Sequence, residues 1–318
     1  MLLTHPRACS TAFERVLMTR RDALVCFNEP FADPSFFGPE ACVERHHTNG
    51  EQGARPGFEE CTFMQRMDLI DEQVPPGTGK RAFVKDMAFQ LSPWQPDQEL
   101  QLAKSLRHLE CDKDAGNPTV MPLAMLQRFR WTFLIRHPQK SIPSLYRLSA
   151  TPAKREETGW RYFLSSEAGY YELRRMFDYL HGQGLIQGGS LETNGVSLPQ
   201  KMQACVIDAD GLLQQPEMVV KAYCGYIGLD YQPSMLQWDS KEEDDHAAQV
   251  FATWTAFHRD AIESRGLMAK KKKSPRSKEE DFRAWVNEFG HEGATSIQTT
   301  IDKNLPHYLY LKQFALKV

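Results

Sequence analysis

The chain has 318 residues, 41% hydrophobic and 25% charged, a composition that suits a globular fold able to bury its core without disulfide or metal staples. Its formal net charge of −3 lacks the basic excess of a nucleic-acid binder. No apolar run approaches the ~18 residues expected of a membrane span, and Met1 to Arg7 turns polar too soon for a secretory signal.

Seven cysteines (Cys9, Cys26, Cys42, Cys61, Cys111, Cys205, Cys224) form no C-x-x-C pair, so neither zinc nor a disulfide framework is expected. A soluble protein of the reducing cytoplasm is expected instead. Leu2-Leu3-Thr4 predicts a short strand before His5-Pro6-Arg7, and Ser10-Thr11 open a helix with Phe13, Val16 and Leu17 on one face. Val25-Cys26-Phe27 predicts a second strand, followed by a long loop from Pro30 to Gly57 rich in Pro, Gly and aromatics. Met64 to Ile70 reads as a helix that Pro75-Pro76-Gly77 breaks.

Ala82-Phe83-Val84 predicts a buried strand ending at Lys85-Asp86. Trp131 to Ile135, uncharged and rich in β-branched and aromatic residues, gives the clearest strand. A helix with Ser141 as candidate cap follows Arg136-His137-Pro138. Tyr162 to Leu180 predicts one long amphipathic helix, and Gly182 to Gly195 a surface loop. Ala204 to Ile207 predicts a strand, and Glu217 to Ile227 a helix that Gly228 stops. The basic run Lys270 to Lys273, with Arg276 and Lys278, reads as a loop between helices. Strands alternating with helices imply a three-layer α/β fold, a mostly parallel sheet covered on both faces. One domain over residues 1–318 is expected, with the basic loop near 268–280 and a helical C-terminal segment.

Two strand ends carry anion chemistry. After the first strand come Pro6-Arg7, then Ala8-Cys9, then Ser10-Thr11 at a helix start. Free amides at a helix N-terminus, two hydroxyls and a fixed positive charge favour a phosphate or sulfate there, while a plain capping role for Ser10 is the simpler alternative. The pattern G-x-x-x-x-G-K-[ST] is absent, which disfavours an ordinary ATPase or kinase. After the strand ending at Ile135, Arg136 and Ser144 stand eight residues apart, a strand-end cation and a helix-borne hydroxyl able to converge on one phosphate, while a purely structural Arg-His-Pro before a capped helix is the alternative.

The pair of motifs resembles the sulfotransferases that use 3′-phosphoadenosine 5′-phosphosulfate (PAPS). In that family a loop after the first strand holds the 5′-phosphosulfate, and an Arg and a Ser eight apart hold the 3′-phosphate. The resemblance implies a P-loop-like sulfotransferase fold. It also implies a nucleotide site made by Arg7, Ala8, Cys9, Ser10, Thr11, Arg136 and Ser144, with 3′-phosphoadenosine 5′-phosphate as product. A fungal and bacterial branch of sulfotransferase-like P-loop proteins is closer still. It is matched by His5-Pro6-Arg7, Ser10 to Arg15, Asn28-Glu29-Pro30-Phe31, Phe83 to Met87, Arg136-His137-Pro138, Gly169 to Leu173 and Phe257 to Ala261, over residues 1–268.

There are departures. Arg7 stands where the cytosolic enzymes carry a Lys, and no Gly-x-x-Gly-x-x-Lys loop is recognisable near the C-terminus. Lys270 to Lys273 and Arg276 either replace that loop or are merely solvated. The His that serves as base in cytosolic enzymes is here Met87.

By resemblance, Arg7 and Lys85 face the transferred group, and Glu29 is the first candidate base, with Asp86 second and His46 or His47 third. Burial under the aromatic loop is expected to raise the Glu29 pKa toward working pH. Phe31 to Phe37, with Phe58 and Phe63, either line an acceptor pocket or pack on the core. Tyr146 and Trp160 are candidates to stack on adenine, with Trp131 and Trp254 as core. The expected reaction is sulfuryl transfer from PAPS to the hydroxyl or amine of a small molecule, with no metal, nucleic acid or membrane partner. Two alternatives stand beside it: sulfation that creates a leaving group for elimination or cyclisation, and a non-catalytic nucleotide binder.

Overall fold

Five short strands form one parallel sheet: β1 Leu2–Thr4, β2 Leu24–Asn28, β3 Arg81–Met87, β4 Thr132–Ile135 and β5 Cys205–Asp208. Their order is β2-β3-β1-β4-β5, with Leu2 opposite both Lys85 and Thr132. A computed structural model of the protein describes residues 1–45, 57–94, 101–111, 114–186, 204–270 and 276–317.

Side chains alternate across the pleat, and the alternation sorts the core into two halves. Leu3, Val84, Phe133, Ile135 and Val206 face one apolar cluster; Leu2, Phe83, Leu134, Cys205 and Ile207 face another. Burial on both faces explains why Trp131 to Ile135 reads as an unbroken apolar run rather than an alternating one.

The second cluster is covered by α1 (Ser10–Met18), through Phe13, Val16 and Leu17. The five-residue α2 (Ala32–Phe36) and α3 (Phe63–Gln73) pack on the first cluster; a Thr62–Gln65 capping box starts α3. The helix α4 (Pro138–Ala150) follows β4, and α5 (Tyr170–Gly182) packs Leu173, Met176, Phe177 and Leu180 on the first face. On the opposite face lies α6 (Pro216–Ile227), ended by Gly228 at φ 65°. Near the C-terminus, α7 (Thr255–Ile262) precedes α8 (Lys278–Lys312), which bends at Gly290. Among the described residues, no helix is long and apolar enough to cross a membrane.

Three boundaries differ from expectation. Pro138 occupies the first helical turn of α4 and His137 is its cap, accepting from the Gln139 amide at 3.2 Å, so Ser141 lies inside the helix. Proline suits that position because its missing N–H has no helical partner there anyway. The long helix expected from Tyr162 instead begins at Tyr170, after a 3₁₀ turn at Ser165–Ala168 and Gly169 at φ 74°. A Cβ on Gly169 would meet His5 Cβ at 3.3 Å and Pro6 Cδ at 3.4 Å, so both the conformation and the close approach call for glycine. Third, α2 lies inside the segment read as one loop. Much of the expected surface loop at 182–195, and part of the basic run, fall outside the described residues.

Candidate functional site

All five strands run parallel, so their carboxyl ends open on one edge of the sheet. The chain leaves β1 toward β2 and leaves β4 toward β5. The gap between the ends of β1 and β4 is therefore the switch point where open α/β sheets bind ligands. A cavity of about 670 Å³ opens there, and Arg7, Cys9, Ser10, Thr11, Arg136 and Ser144 all line it.

The first turn is strained. Arg7, Cys9 and Glu29 have φ of 62°, 66° and 48°, and they are the only non-glycine residues with positive φ among the described residues. Such backbone costs roughly 1–3 kcal/mol per residue and persists where its surroundings enforce it. Here it makes Cys9, rather than Ser10, the N-cap of α1; no side chain caps the helix, and its first amide to bond inward is Phe13 N to Cys9 O, 3.1 Å. The amides before it belong to residues that line the cavity, an arrangement that favours an anion. Ala8 points the other way, fully buried in the apolar cluster below, and takes no part in the lining.

The two turns are joined directly. Arg7 Nε donates to Ser144 Oγ at 2.9 Å, and Arg136 donates to the Arg7 carbonyl at 2.9 Å. His5, which the resemblance matches without giving it a role, locks them together. Its Nδ1–H donates to Pro6 O at 3.0 Å and its Nε2 accepts from the Arg136 amide at 2.9 Å, while the ring stacks on Tyr170 at 3.8 Å. Burial pushes the His5 pKa down to about 3, so the ring is neutral and holds one tautomer. Arg136 Nε is buried without a partner.

Five cations line the cavity (Arg7, Arg136, Lys140, Arg147, Lys270) against two carboxylates, Glu29 and Asp260. Arg7, Lys140 and Arg147 are paired with Asp260, Asp210 and Glu288, so the features that fit an anionic group are the unpaired buried guanidinium nitrogen of Arg136 and the uncapped amides of α1.

Under the opposite end lies a buried acidic cluster. Lys85 is fully buried and does not line the cavity; its Nζ meets Glu29 Oε1 at 2.5 Å and Glu14 Oε2 at 3.7 Å. The expectation that Lys85 reaches a transferred group is therefore corrected: the register of β3 points it into the sheet interior, where its charge acts through Glu29. Burial works against the Lys85 charge, but the Glu29 and Glu14 carboxylates outweigh it and keep its pKa above the usual lysine range. Burial also favours a neutral Glu29, yet the Lys85 ammonium and hydrogen bonds from Lys85 and Gln90 hold its pKa below the usual range. That is opposite to the rise expected from the sequence.

Glu14 has no hydrogen-bond partner on either oxygen, and burial lifts its pKa to about 8. Asp86 accepts from the Phe31 and Met87 amides and is pushed well up, by burial first and by the Glu29 charge second. It props the aromatic segment rather than facing the cavity. His46 and His47 lie outside the described residues.

His258, on α7, was quoted in the resemblance without a role. It is almost fully buried and lines the cavity, with Nδ1 2.8 Å from Thr11 Oγ1 and Nε2 3.7 Å from Glu29 Oε1. The Arg7 guanidinium reaches the same helix at Phe257 O (2.6 Å) and Asp260 (3.5 Å).

Aromatic side chains close the wall beside this cluster. Trp254 lies 5.6 Å from Phe36, and Trp160 lies 4.8 Å from Phe257; all four line the cavity, so Trp254 is a wall residue rather than core. Phe31 and Phe63 pack in the core instead, and Tyr146 packs on Phe163 and Phe289 away from the lining.

No family model matches the chain. It is similar to sulfotransferase ppzF of Metarhizium majus, 26% identical over 63% of this chain and 57% of that protein. It is also similar to sulfotransferase ppzF of Metarhizium rileyi, 23% identical over 99% of this chain and 95% of that protein. Both relatives are named sulfotransferases, a likeness that supports a sulfotransferase-like reading of this chain. The match thus spans just over half of the first relative's length and nearly all of the second's.

Among solved structures, this chain overlaps the sulfotransferase domain of the curacin biosynthetic pathway (TM-score 0.38, 11% identity, covering 95% of this chain and 96% of that one). It also overlaps a sulfotransferase from Alicyclobacillus acidocaldarius (TM-score 0.38, 17% identity, covering 82% and 94%). Both scores lie below 0.5, so the likeness to sulfotransferases rests on the sequence relatives.

Proposed function

We propose that this sulfotransferase-like chain moves a sulfuryl group from PAPS to a hydroxyl or amine of a small-molecule acceptor. The observation that carries the reading is the Arg7–Ser144 hydrogen bond at 2.9 Å, which unites the two anion turns in one cavity. PAPS supplies the activated sulfuryl group and leaves as the 3′,5′-bisphosphate. Arg7, Ser10, Thr11 and the first amides of α1 form the 5′ side; Arg136 and Ser144 form the 3′ side.

Sulfuryl transfer depends mainly on positioning and on offsetting charge that builds on the leaving oxygen. Arg7, held by Ser144 and α7 and itself at the strained turn, is suited to that charge. The aromatic wall of Phe36, Trp160, Trp254 and Phe257 supports an apolar, ring-bearing acceptor at the other end. Glu29 stays ionised there because Lys85 holds its pKa low, which makes it a strong counter-ion and a weak base.

Incubation with PAPS and a panel of phenols, alcohols and amines tests the proposal. A product heavier by one SO₃ together with the bisphosphate supports it. Free sulfate with a rearranged acceptor points instead to the elimination alternative. Binding without any turnover points to a nucleotide-binding protein.

A further inference from the structure

We propose that His258 is the group that takes the acceptor's proton, with Glu29 as the positioning residue that stabilises the imidazolium so formed. The inference rests on the sulfuryl-transfer reading and assigns its missing base.

The two ring nitrogens are not equivalent. Nδ1 lies 2.8 Å from the Thr11 hydroxyl, whereas Nε2 has nothing nearer than Asn28 Nδ2 at 3.4 Å and Glu29 Oε1 at 3.7 Å. Thr11 sits in the anion turn and serves an anion only if its own hydroxyl proton is free to donate. That requires Nδ1–H to donate to Thr11 Oγ1, and a neutral imidazole with Nδ1–H carries its lone pair on Nε2. One tautomer thus satisfies both needs: Thr11 remains a donor and Nε2 remains a base.

The charges around the ring act in sequence. In the free protein, burial, the Lys85 charge and the Arg7 charge keep His258 neutral, with a pKa near 3, while Glu29 opposes them. An anion beside Arg7 and Thr11 cancels part of that positive field and raises the ring's proton affinity when the nucleotide arrives. On transfer, the acceptor oxygen or nitrogen forms its bond to sulfur, the bridging S–O bond breaks and its electron pair leaves with the bisphosphate. The acceptor's proton passes to Nε2, which then faces the Glu29 carboxylate. Met87 offers no proton acceptor, and both Glu29 oxygens already accept hydrogen bonds, from Lys85 at 2.5 Å and Gln90 at 3.2 Å, whereas the nearest polar partner of His258 Nε2 stands at 3.4 Å.

Three measurements test this. In ¹⁵N-histidine NMR of the complex with adenosine 3′,5′-bisphosphate, His258 should appear as the Nδ1–H tautomer, titrating at higher pH than in the free protein. An Nε2–H tautomer overturns the proposal, and no acceptor is needed to see it. His258→Gln should bind the bisphosphate within about tenfold of wild type. It should also lower turnover of PAPS, with 2-naphthol or water as acceptor, by roughly 10²–10⁴-fold and remove the acid limb of the pH profile. In His258→Ala, added imidazole should restore part of the rate. Near-normal turnover by His258→Gln, beside an active wild type, defeats the His258 assignment alone. A wild type that binds no bisphosphate defeats the sulfotransferase reading and this inference with it.

Discussion

The two ends of the cavity solve opposite electrostatic problems. At the proposed nucleotide end, Arg7, Lys140 and Arg147 meet Asp260, Asp210 and Glu288, while Arg136 keeps a buried nitrogen without a partner and the first amides of α1 are uncapped, so a ligand's charge still has groups to meet there. At the acceptor end, Glu14, Glu29 and Asp86 surround a single buried lysine, and the charge is already settled within the protein. On the proposed function, the first end gains an anion and the second tolerates a moving proton. Only the first should therefore respond chiefly through affinity, and only the second through stability and pH.

Removing the lysine breaks the comparison most severely. Lys85→Met leaves buried carboxylates without their countercharge and should cost about 3–5 kcal/mol in urea denaturation at neutral pH. A loss below about 1 kcal/mol would mean that Glu29 is not ionised in the folded protein. Next comes Glu14. A carboxyl whose folded pKa is raised binds a proton that the unfolded chain has released, so its contribution to stability falls as pH rises between the two pKa values. Stability curves of Glu14→Gln and wild type should therefore diverge between about pH 5 and 8 by up to ~1.4 kcal/mol per unit, in favour of the variant. Parallel curves would place Glu14 outside the coupled cluster.

At the nucleotide end, Arg136→Ala should weaken binding of the 3′,5′-bisphosphate by roughly 1.5–3 kcal/mol, one to two decades, with little change in stability. Calorimetry with 5′-AMP gives the control: wild type should prefer the bisphosphate, and Arg136→Ala should lose most of that preference. Equal wild-type affinities would remove the 3′-phosphate from the reading. The smallest effect is expected at Cys9. Its left-handed backbone suits glycine, so Cys9→Gly should be neutral or stabilising by up to about 1 kcal/mol, measured by thermal melting.

These same contrasts explain what was legible in the sequence. Both anion turns are contiguous segments at strand ends, and the strands announce themselves by short apolar runs, so the placement of both turns at one edge of the sheet could be read locally. The acceptor end could not. His258 meets Thr11 across 247 residues and Lys85 meets Glu29 across 56, pairings that exist only after the sheet has assembled. Lys85 looked like a strand-end cation; register and burial turned it into a neighbour of Glu29. His5 carried no signal beyond its place before Pro6, because its role depends on Arg136 and Tyr170 arriving beside it. Two boundaries are set by competing local signals: Pro138 in the first turn outranks Ser141 as a helix start, and Gly169 stops the backward extension of α5.

The central position of β1 also has a consequence for how the molecule is made. Residues 2–4 lie between β3 and β4, so β1 has no neighbour in this sheet until residues 81–87 emerge and is flanked on both sides only after 132–135. At ribosomal speeds of about 5–20 residues per second, that leaves Leu2 and Leu3 waiting on the order of ten seconds. Long-range parallel pairing of this kind is intrinsically slow. The seam between β1 and β4 is among the later parts of the sheet to form, and the cavity at its edge is not complete until α7 is translated.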